Sequence, residues 1–333
     1  MPELRRDIVR DSWVVIATER TVKPMDLPVP STNAHSKNAG TFCPFCEGNE
    51  ETTPSELAAF RSSDSTSNGP GWQVRAIPNK YSAFNPRSEI SENHNGIYTC
   101  RGGYGNHEVI IETPNHDEQF HQHSIETISL IYRMLRQRYS SLKSNPNIKH
   151  IQIYKNSGLF AGASLAHSHT QIIAVPYLPA ESEGARHYGT ETGRCVFCDM
   201  IDQEKSEKTR QVLESDSFIV ICPYASRFTF ETWIMPKSHQ EDFDSITDNQ
   251  ILELAAILKK VTGAVVALLQ NPSYNIVVNS APVNTPQEPG YHWRIEIWPR
   301  LIVQAGVEIA TGTFMNPVSP EWAAETIRGW IRE

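Results

Sequence analysis

The 333-residue chain has no long hydrophobic run: nowhere do 18 apolar residues stand uninterrupted, so no membrane span is expected. It also lacks a basic excess. Thirty Lys and Arg against 38 Asp and Glu leave a net charge of -8, which argues against a nucleic-acid phosphate track. The opening stretch "MPELRRDIVRDSW" has no apolar export core, so a soluble, cytoplasmic protein is expected. Cysteine is scarce, at six residues, yet four of them form two Cys-x-x-Cys pairs: "CPFC" with Cys43 and Cys46, and "CVFC" with Cys195 and Cys198. In an unexported chain that spacing reads as metal knuckles or redox dithiols rather than structural disulfides. Cys100 and Cys222 stand alone and read as small apolar filler.

The length suits one large domain or two ordinary ones with a proper core. Stretches rich in Ser, Gly, Asn and Pro without an apolar period read as loops: "PVPSTNAHSKNAG", "RSSDSTSNGPG" (61–71) and "ESEGARHYGTETG" (181–193). The last separates two halves, 1–180 and 190–333, that follow one order. The first runs "CPFC", "HEVIIETPNHDEQF", "SIETISLIYRMLRQRYSSL", "IKHIQIYKNSG", "HSHTQIIAVP". The second runs "CVFC", "FETWIMPKSHQEDF", "DNQILELAAILKKVTGAVVALL", "SYNIVVNSAP", "HWRIEIWPR". Leu and Ile at three- and four-residue spacing make the long segments amphipathic helices. "VIIET", "HIQIY", "NIVVN" and "RIEIW" are short, β-branched and alternating, as strands are. The expected fold is α+β: duplicated units, each an antiparallel sheet packed with one long helix.

The repeat selects histidines. His116 and His239 share one place in the two units, and His167 and His292 share another. Each half then offers a Cys₂His₂ set: Cys43, Cys46, His116 and His167, and Cys195, Cys198, His239 and His292. Thiolate and imidazole donors suit tetrahedral zinc, so two Zn²⁺ per chain are expected, against the alternative of redox dithiols and surface histidines. His35, His94, His107, His121, His123, His150 and His187 have no counterpart and read as solvated or core residues.

In "HSHTQ", His167 and His169 project to one side of a strand and Ser168 to the other. His167 matches the ligand His292, but His169 matches Arg294. Zinc therefore does not require His169, and catalysis is its leading role. A neutral imidazole attacks phosphorus well at neutral pH. The small-residue loop "NSGLFAGAS" lets backbone N–H groups approach phosphate oxygens, and Gln171 faces the same side as His169. Together they suggest attack on a phosphoanhydride to give a phosphoramidate.

"HSHTQ" resembles the His-x-His-x-Gln motif of the transferase branch of the histidine-triad superfamily. With "WVVIATERTVKP", "CPFC", "PNKYSAF", "NSGLFAGASLAHSHTQ", "HWRIEIWPR" and "GVEIATGTFMNP", nearly the whole chain is similar to the galactose-1-phosphate uridylyltransferase family. The resemblance implies a nucleotidyl-histidine on His169, formed from UDP-glucose and passed to galactose 1-phosphate in ping-pong order, in a homodimer. It implies Gln171 as the amide on the transferred phosphate and Asn79 at the nucleoside. Asn156, Gly162, Ala163 and Ser164 would form the phosphate loop, Arg20 and Lys23 the cations near the phosphates, and Val307 and Glu308 a sugar-binding segment.

Three positions depart from the family pattern. Lys23 stands where Arg is frequent, Ala163 where several members carry Cys, and Ser168 where Pro is better known. "HSH" also occurs in a branch acting on ADP-sugars, so an ADP-glucose phosphorylase or adenylyltransferase is the alternative. Gln171 replaces the third histidine of the hydrolases and cannot shuttle a proton, which favours a sugar-phosphate acceptor over water. A non-catalytic zinc-knuckle module would explain the cysteines but leaves His169 and the loop without a purpose.

Overall fold

The computed structural model describes residues 2–16, 42–178, 183–286 and 290–332. In chain order come β1 (Glu3–Asp7), β2 (Ser12–Ile16), β3 (Ala58–Arg61), β4 (Trp72–Pro78), β5 (Glu92–Asn95), β6 (Tyr98–Arg101), β7 (Asn106–Ile111), α1 (Ile125–Lys143), β8 (His150–Ser157) and β9 (His169–Val175). Then follow α2 (Glu183–Thr192), α3 (Val196–Glu207), β10 (Gln211–Glu214), β11 (Phe218–Ile221), β12 (Thr232–Pro236), α4 (Asp248–Leu268), β13 (Tyr274–Asn279), β14 (Arg294–Pro299), α5 (Gly306–Thr311), β15 (Phe314–Asn316) and α6 (Pro320–Arg332).

The two long helices start where side chains satisfy their free amides. Ser124 Oγ accepts from Thr127 N at the head of α1, and Thr247 and Gln250 form a reciprocal capping box at the head of α4. Both lie against the same sheet face and against each other. Ile128, Ile131, Met134 and Leu135 of α1 join Leu254, Leu258 and Val261 of α4 in one core.

That sheet is the main addition to the sequence reading. The units do not keep separate sheets. They form one antiparallel sheet in the order β3-β4-β7-β9-β8-β13-β14-β12-β11-β10, each half contributing five strands in matching order. The seam is β8 against β13, with Tyr154 opposite Val277. Fusing the edges satisfies a row of backbone groups on each side that a lone sheet would leave open.

The sheet face opposite α1 and α4 differs between halves. In the second half it is covered by α2 and α3, with Phe197, Ile201, Trp233 and Met235 buried together. Segment 181–193, expected as a loop, holds α2 instead. Its helix is imposed by packing: Ala185 is buried with its N–H on Val9 O, and a Cβ on Gly184 would lie 2.3 Å from Ile8 O. Among the described residues, no helix is long and apolar enough to cross a membrane.

Candidate active site and metal clusters

Both cysteine pairs meet the histidines paired with them in sequence. The ligand atoms of Cys43, Cys46, His116 and His167 all lie within 4.8 Å of one another, and so do those of Cys195, Cys198, His239 and His292. The buried histidines are aimed by their far nitrogens. His167 Nε2–H donates to Thr113 O at 2.7 Å, and His292 Nε2–H donates to Pro236 O at 2.8 Å. Each ring thus turns its Nδ1 lone pair toward thiols, at 3.6 Å from Cys43 Sγ and 3.8 Å from Cys198 Sγ. Burial lowers His167 and His292 to about 4, so both rings are neutral, as ligands must be. Burial and the neighbouring cysteine push the Cys46 thiol up to about 11 and the Cys198 thiol up to about 12. A divalent cation among them would reverse that by favouring thiolate. Four soft and borderline donors on each cluster fit tetrahedral zinc, with no ligand position left over.

His169 opens β9, two residues past His167, and its side chain lies on the sheet face opposite α1 and α4. It is 5% exposed, and Phe45 of the "CPFC" knuckle meets its ring edge-on at 5.5 Å. His169 Nδ1–H donates to His167 O at 2.7 Å, which fixes the tautomer. Burial lowers its pKa, so the ring is neutral near pH 7. Among the described residues Nε2 has no hydrogen-bond partner, and its lone pair is the reactive end.

Gln171 follows on the same face, and its carboxamide oxygen is crowded with donors. His107 Nε2–H lies at 2.8 Å, Tyr154 Oη–H at 3.1 Å and Asn79 Nδ2 at 3.4 Å. The amide nitrogen has no protein partner among the described residues, so Gln171 keeps two N–H donors for a ligand. The family resemblance implies Asn79 at the nucleoside, and the structure sets its amide beside Gln171; the sequence pattern alone gives His107 no role. The signal lay in the period of two: His107, Val109 and Ile111 share one face of β7, and Val109 and Ile111 pair with Gln171 and His169. Burial lowers His107 as well, keeping its ring neutral.

The loop between β8 and β9 is built on glycine. Gly158 has φ +84°, and a Cβ there would sit 2.3 Å from Ser273 Oγ. A single 3-10 turn, Leu159–Ala161, ends at Gly162, also at φ +84°, and the Ala163 N–H donates to Gly158 O at 3.2 Å. Asn156 anchors the loop across the seam, accepting from Asn275 Nδ2 at 2.9 Å and donating to Gly162 O at 3.4 Å. Ser164, just past the turn, is exposed. Val307 and Glu308 lie elsewhere, on α5 beside β15; Glu308 caps its own helix and lines a small cavity with Arg227 and Phe228. Arg20 and Lys23 lie outside the described residues.

Residues 1–179 match the galactose-1-phosphate uridyl transferase N-terminal domain family, and residues 181–313 match its C-terminal domain family. An ADP-glucose phosphorylase of Arabidopsis thaliana is 34% identical over 335 residues, covering 98% of this chain and 92% of the relative. A galactose-1-phosphate uridylyltransferase of Thermotoga maritima is 28% identical over 341 residues, covering 98% of both chains. The crystal structure of an Arabidopsis thaliana ADP-glucose phosphorylase with bound ADP-glucose superposes with a TM-score of 0.81 at 31% identity, covering 98% of this chain and 99% of that one.

Proposed function

Because the chain belongs to the galactose-1-phosphate uridyl transferase family, we propose that it moves a nucleotidyl group from a nucleotide sugar to a phosphate acceptor through a covalent bond to His169. The observation that carries this is the setting of His169: Nδ1–H is fixed on a carbonyl, Nε2 has no hydrogen-bond partner among the described residues, and burial favours the neutral ring. In the first half-reaction Nε2 attacks the α-phosphorus and the anhydride bond to the β-phosphate oxygen breaks, releasing the sugar 1-phosphate. In the second, an oxygen of the acceptor phosphate attacks the same phosphorus and the P–N bond breaks. The Nδ1 proton stays on the ring throughout, and its hydrogen bond to His167 O stabilises the positive charge that the ring gains on attack. The Gln171 N–H groups face charge building on the phosphoryl oxygens.

The other site residues take supporting parts in this reading. Asn156, Gly162, Ala163 and Ser164 hold the phosphates, Asn79 meets the nucleoside, and the family resemblance gives Arg20 and Lys23 the part of cations for the phosphates. Val307 and Glu308 stand apart from His169 in the same chain, and we assign them to the sugar of a second subunit's site, in a homodimer. The exposed apolar side chains of Val303, Val307 and Ile309 support such a contact. Two zinc ions per chain hold the knuckles, each with four protein donors, and take no part in the steps above. The thiol-rich clusters favour a reducing compartment, the cytoplasm. We keep 1–180 and 190–333 as the two units.

We take ADP-glucose as donor and inorganic phosphate as acceptor, on the likeness to the Arabidopsis thaliana ADP-glucose phosphorylase along the whole chain. The products would then be glucose 1-phosphate and ADP. UDP-glucose with galactose 1-phosphate is the second reading, favoured by the Thermotoga maritima relative. The test is a panel of the two donors, each with phosphate or galactose 1-phosphate. Turnover of ADP-glucose with phosphate is expected, turnover confined to UDP-glucose and galactose 1-phosphate selects the second reading, and turnover with neither donor refutes both.

A further inference from the structure

Beneath β9, on the side away from the reactive nitrogen, lies a charged cluster that the chemistry above does not use. Lys155 of β8 is 4% exposed and Glu112, just past β7, is fully buried. Lys155 Nζ donates to Glu112 Oε2 at 2.7 Å, to Ser168 Oγ at 3.0 Å and to His169 O at 3.1 Å. An ammonium has three protons, and all three are used, so Lys155 has none left for a substrate phosphate. Glu112 is equally engaged. Its carboxylate accepts from the hydroxyls of Ser168 and Thr170 as well as from Lys155, and its N–H donates to Ser168 O at 3.2 Å. His123 faces it with Nε2 at 3.7 Å, and the Phe120 ring lies 5.4 Å from the ammonium.

The partners gripped are the two neighbours of His169 and its own carbonyl. Side chains alternate across a strand, so fixing residues 168 and 170 on the lower face fixes the direction of residue 169 on the upper one. The second half, which keeps the Cys₂His₂ cluster but has Arg294 in place of His169, has no counterpart of this charged cluster among the described residues. Val278, Trp293 and Ile295 stand where Lys155, Ser168 and Thr170 stand in the first half, all packed in the apolar core. The polar cluster therefore accompanies the reactive histidine and not the fold.

We infer that Glu112 and Lys155, acting through Ser168 and Thr170, are positioning residues that hold the His169 peptide so that Nε2 stays aligned with phosphorus through both half-reactions. The inference rests on His169 being the nucleotidylated residue. The gain is orientational: a shift of about 1 Å in a reacting group can cost about a hundredfold in rate.

Two variants of the full-length, zinc-loaded protein test this. Ser168→Ala with Thr170→Val removes the two hydroxyl grips and leaves the ion pair intact. Glu112→Gln with Lys155→Met removes the pair without stranding a lone charge. The readout is the single-turnover rate of His169 labelling by ADP-glucose or UDP-glucose labelled at the α-phosphate, using whichever donor labels the wild type. Rates are expected to fall at least about tenfold in both variants, with KM for the donor within about twofold and the final labelled fraction and zinc content unchanged. Restoring one hydroxyl, as Thr170→Ser beside Ser168→Ala, should recover much of the rate. Val278→Ala, at the equivalent place in the second half, should lower the melting temperature and leave the labelling rate alone. Wild-type rates in the folded variants, or a loss confined to the labelled fraction, would overturn the positioning role. If the charge-pair variant does not fold, the hydroxyl variant decides. No labelling of the wild type by either donor would instead refute the reading of His169, and the inference with it.

Discussion

Arg294 stands in the second half where His169 stands in the first, each two residues beyond the buried histidine of its own Cys₂His₂ cluster. The ring of His169 donates its Nδ1–H to the carbonyl of His167, and among the described residues Nε2 has no hydrogen-bond partner. Arg294 is closed off: its Nε donates to Glu296 at 2.7 Å, and Glu296 also binds Arg10 at 2.7 Å and Asn279 at 2.7 Å. Glu296 in turn occupies the place of Gln171, four residues past the cluster histidine. One copy of the repeat leaves an imidazole nitrogen open among the described residues, and the other fills the same place with a buried ionic network.

His169→Ala should therefore abolish nucleotidyl transfer while zinc content and melting temperature stay near wild type. His167→Ala should release metal from the first cluster and destabilise the first half, since its Nδ1 is aimed at both Cys43 and Cys46. Metal analysis and thermal melts of the two variants separate these outcomes. Metal retained by His167→Ala would remove that residue from the ligand set.

The wild-type chain should hold close to two zinc ions. Replacing Cys195 and Cys198 by serine together should leave close to one. The loss should appear first as lowered stability of the second half and only later as lost turnover, because four protein donors leave the metal no open position for chemistry. Two zinc ions persisting in that variant would rule out the second site.

Much of this was legible because two signals coincided. The apolar period identified the helices that became α1 and α4, and the matched order of elements picked His116, His167, His239 and His292 out of twelve histidines. The parts that escaped depend on contacts with no local period. His107 looks like any strand histidine until β7 and β9 are paired. Glu112 and Lys155 sit at the ends of apolar strands, where a charge reads as the start of a loop; only the sheet shows them meeting beneath His169. The segment 181–193 has the composition of a loop, and its helix exists because Ala185 and Gly184 dock on the N-terminal turn.

Gln171→Ala should slow both half-reactions by about 10²–10³ while nucleotidyl-enzyme stays detectable, as removal of one preorganised donor does elsewhere. His107→Phe should give a smaller loss, about tenfold, because Tyr154 and Asn79 still hold the carboxamide oxygen. Rapid-quench measurement of each half-reaction gives both values. A larger loss for His107→Phe than for Gln171→Ala would mean that His107 acts on the substrate directly.

Glu296 supplies a pH-dependent prediction. Burial alone would raise its pKa, but Arg10, Arg294 and Arg227 hold it down at about 2. A carboxylate depressed in the folded state stabilises the protein above its unfolded pKa, about 4.3, and that contribution fades as pH falls toward the folded value. Glu296→Gln should therefore be less stable than wild type at pH 7, and the gap should narrow steadily below about pH 4.3. Denaturant melts of the two proteins across that range measure it. A gap independent of pH would show that Glu296 contributes through packing rather than charge.

The most direct measurement is to mix the protein with ADP-glucose and with UDP-glucose, each labelled at the α-phosphate, without acceptor, and to map any protein-bound label. One nucleotidyl group per chain, labile in acid and stable in base as a phosphoramidate is, should appear on His169 and be discharged by adding the acceptor phosphate. His169→Ala should take up none. Transfer to the acceptor by a wild-type protein that never becomes labelled, or near-normal transfer by His169→Ala, would contradict the account.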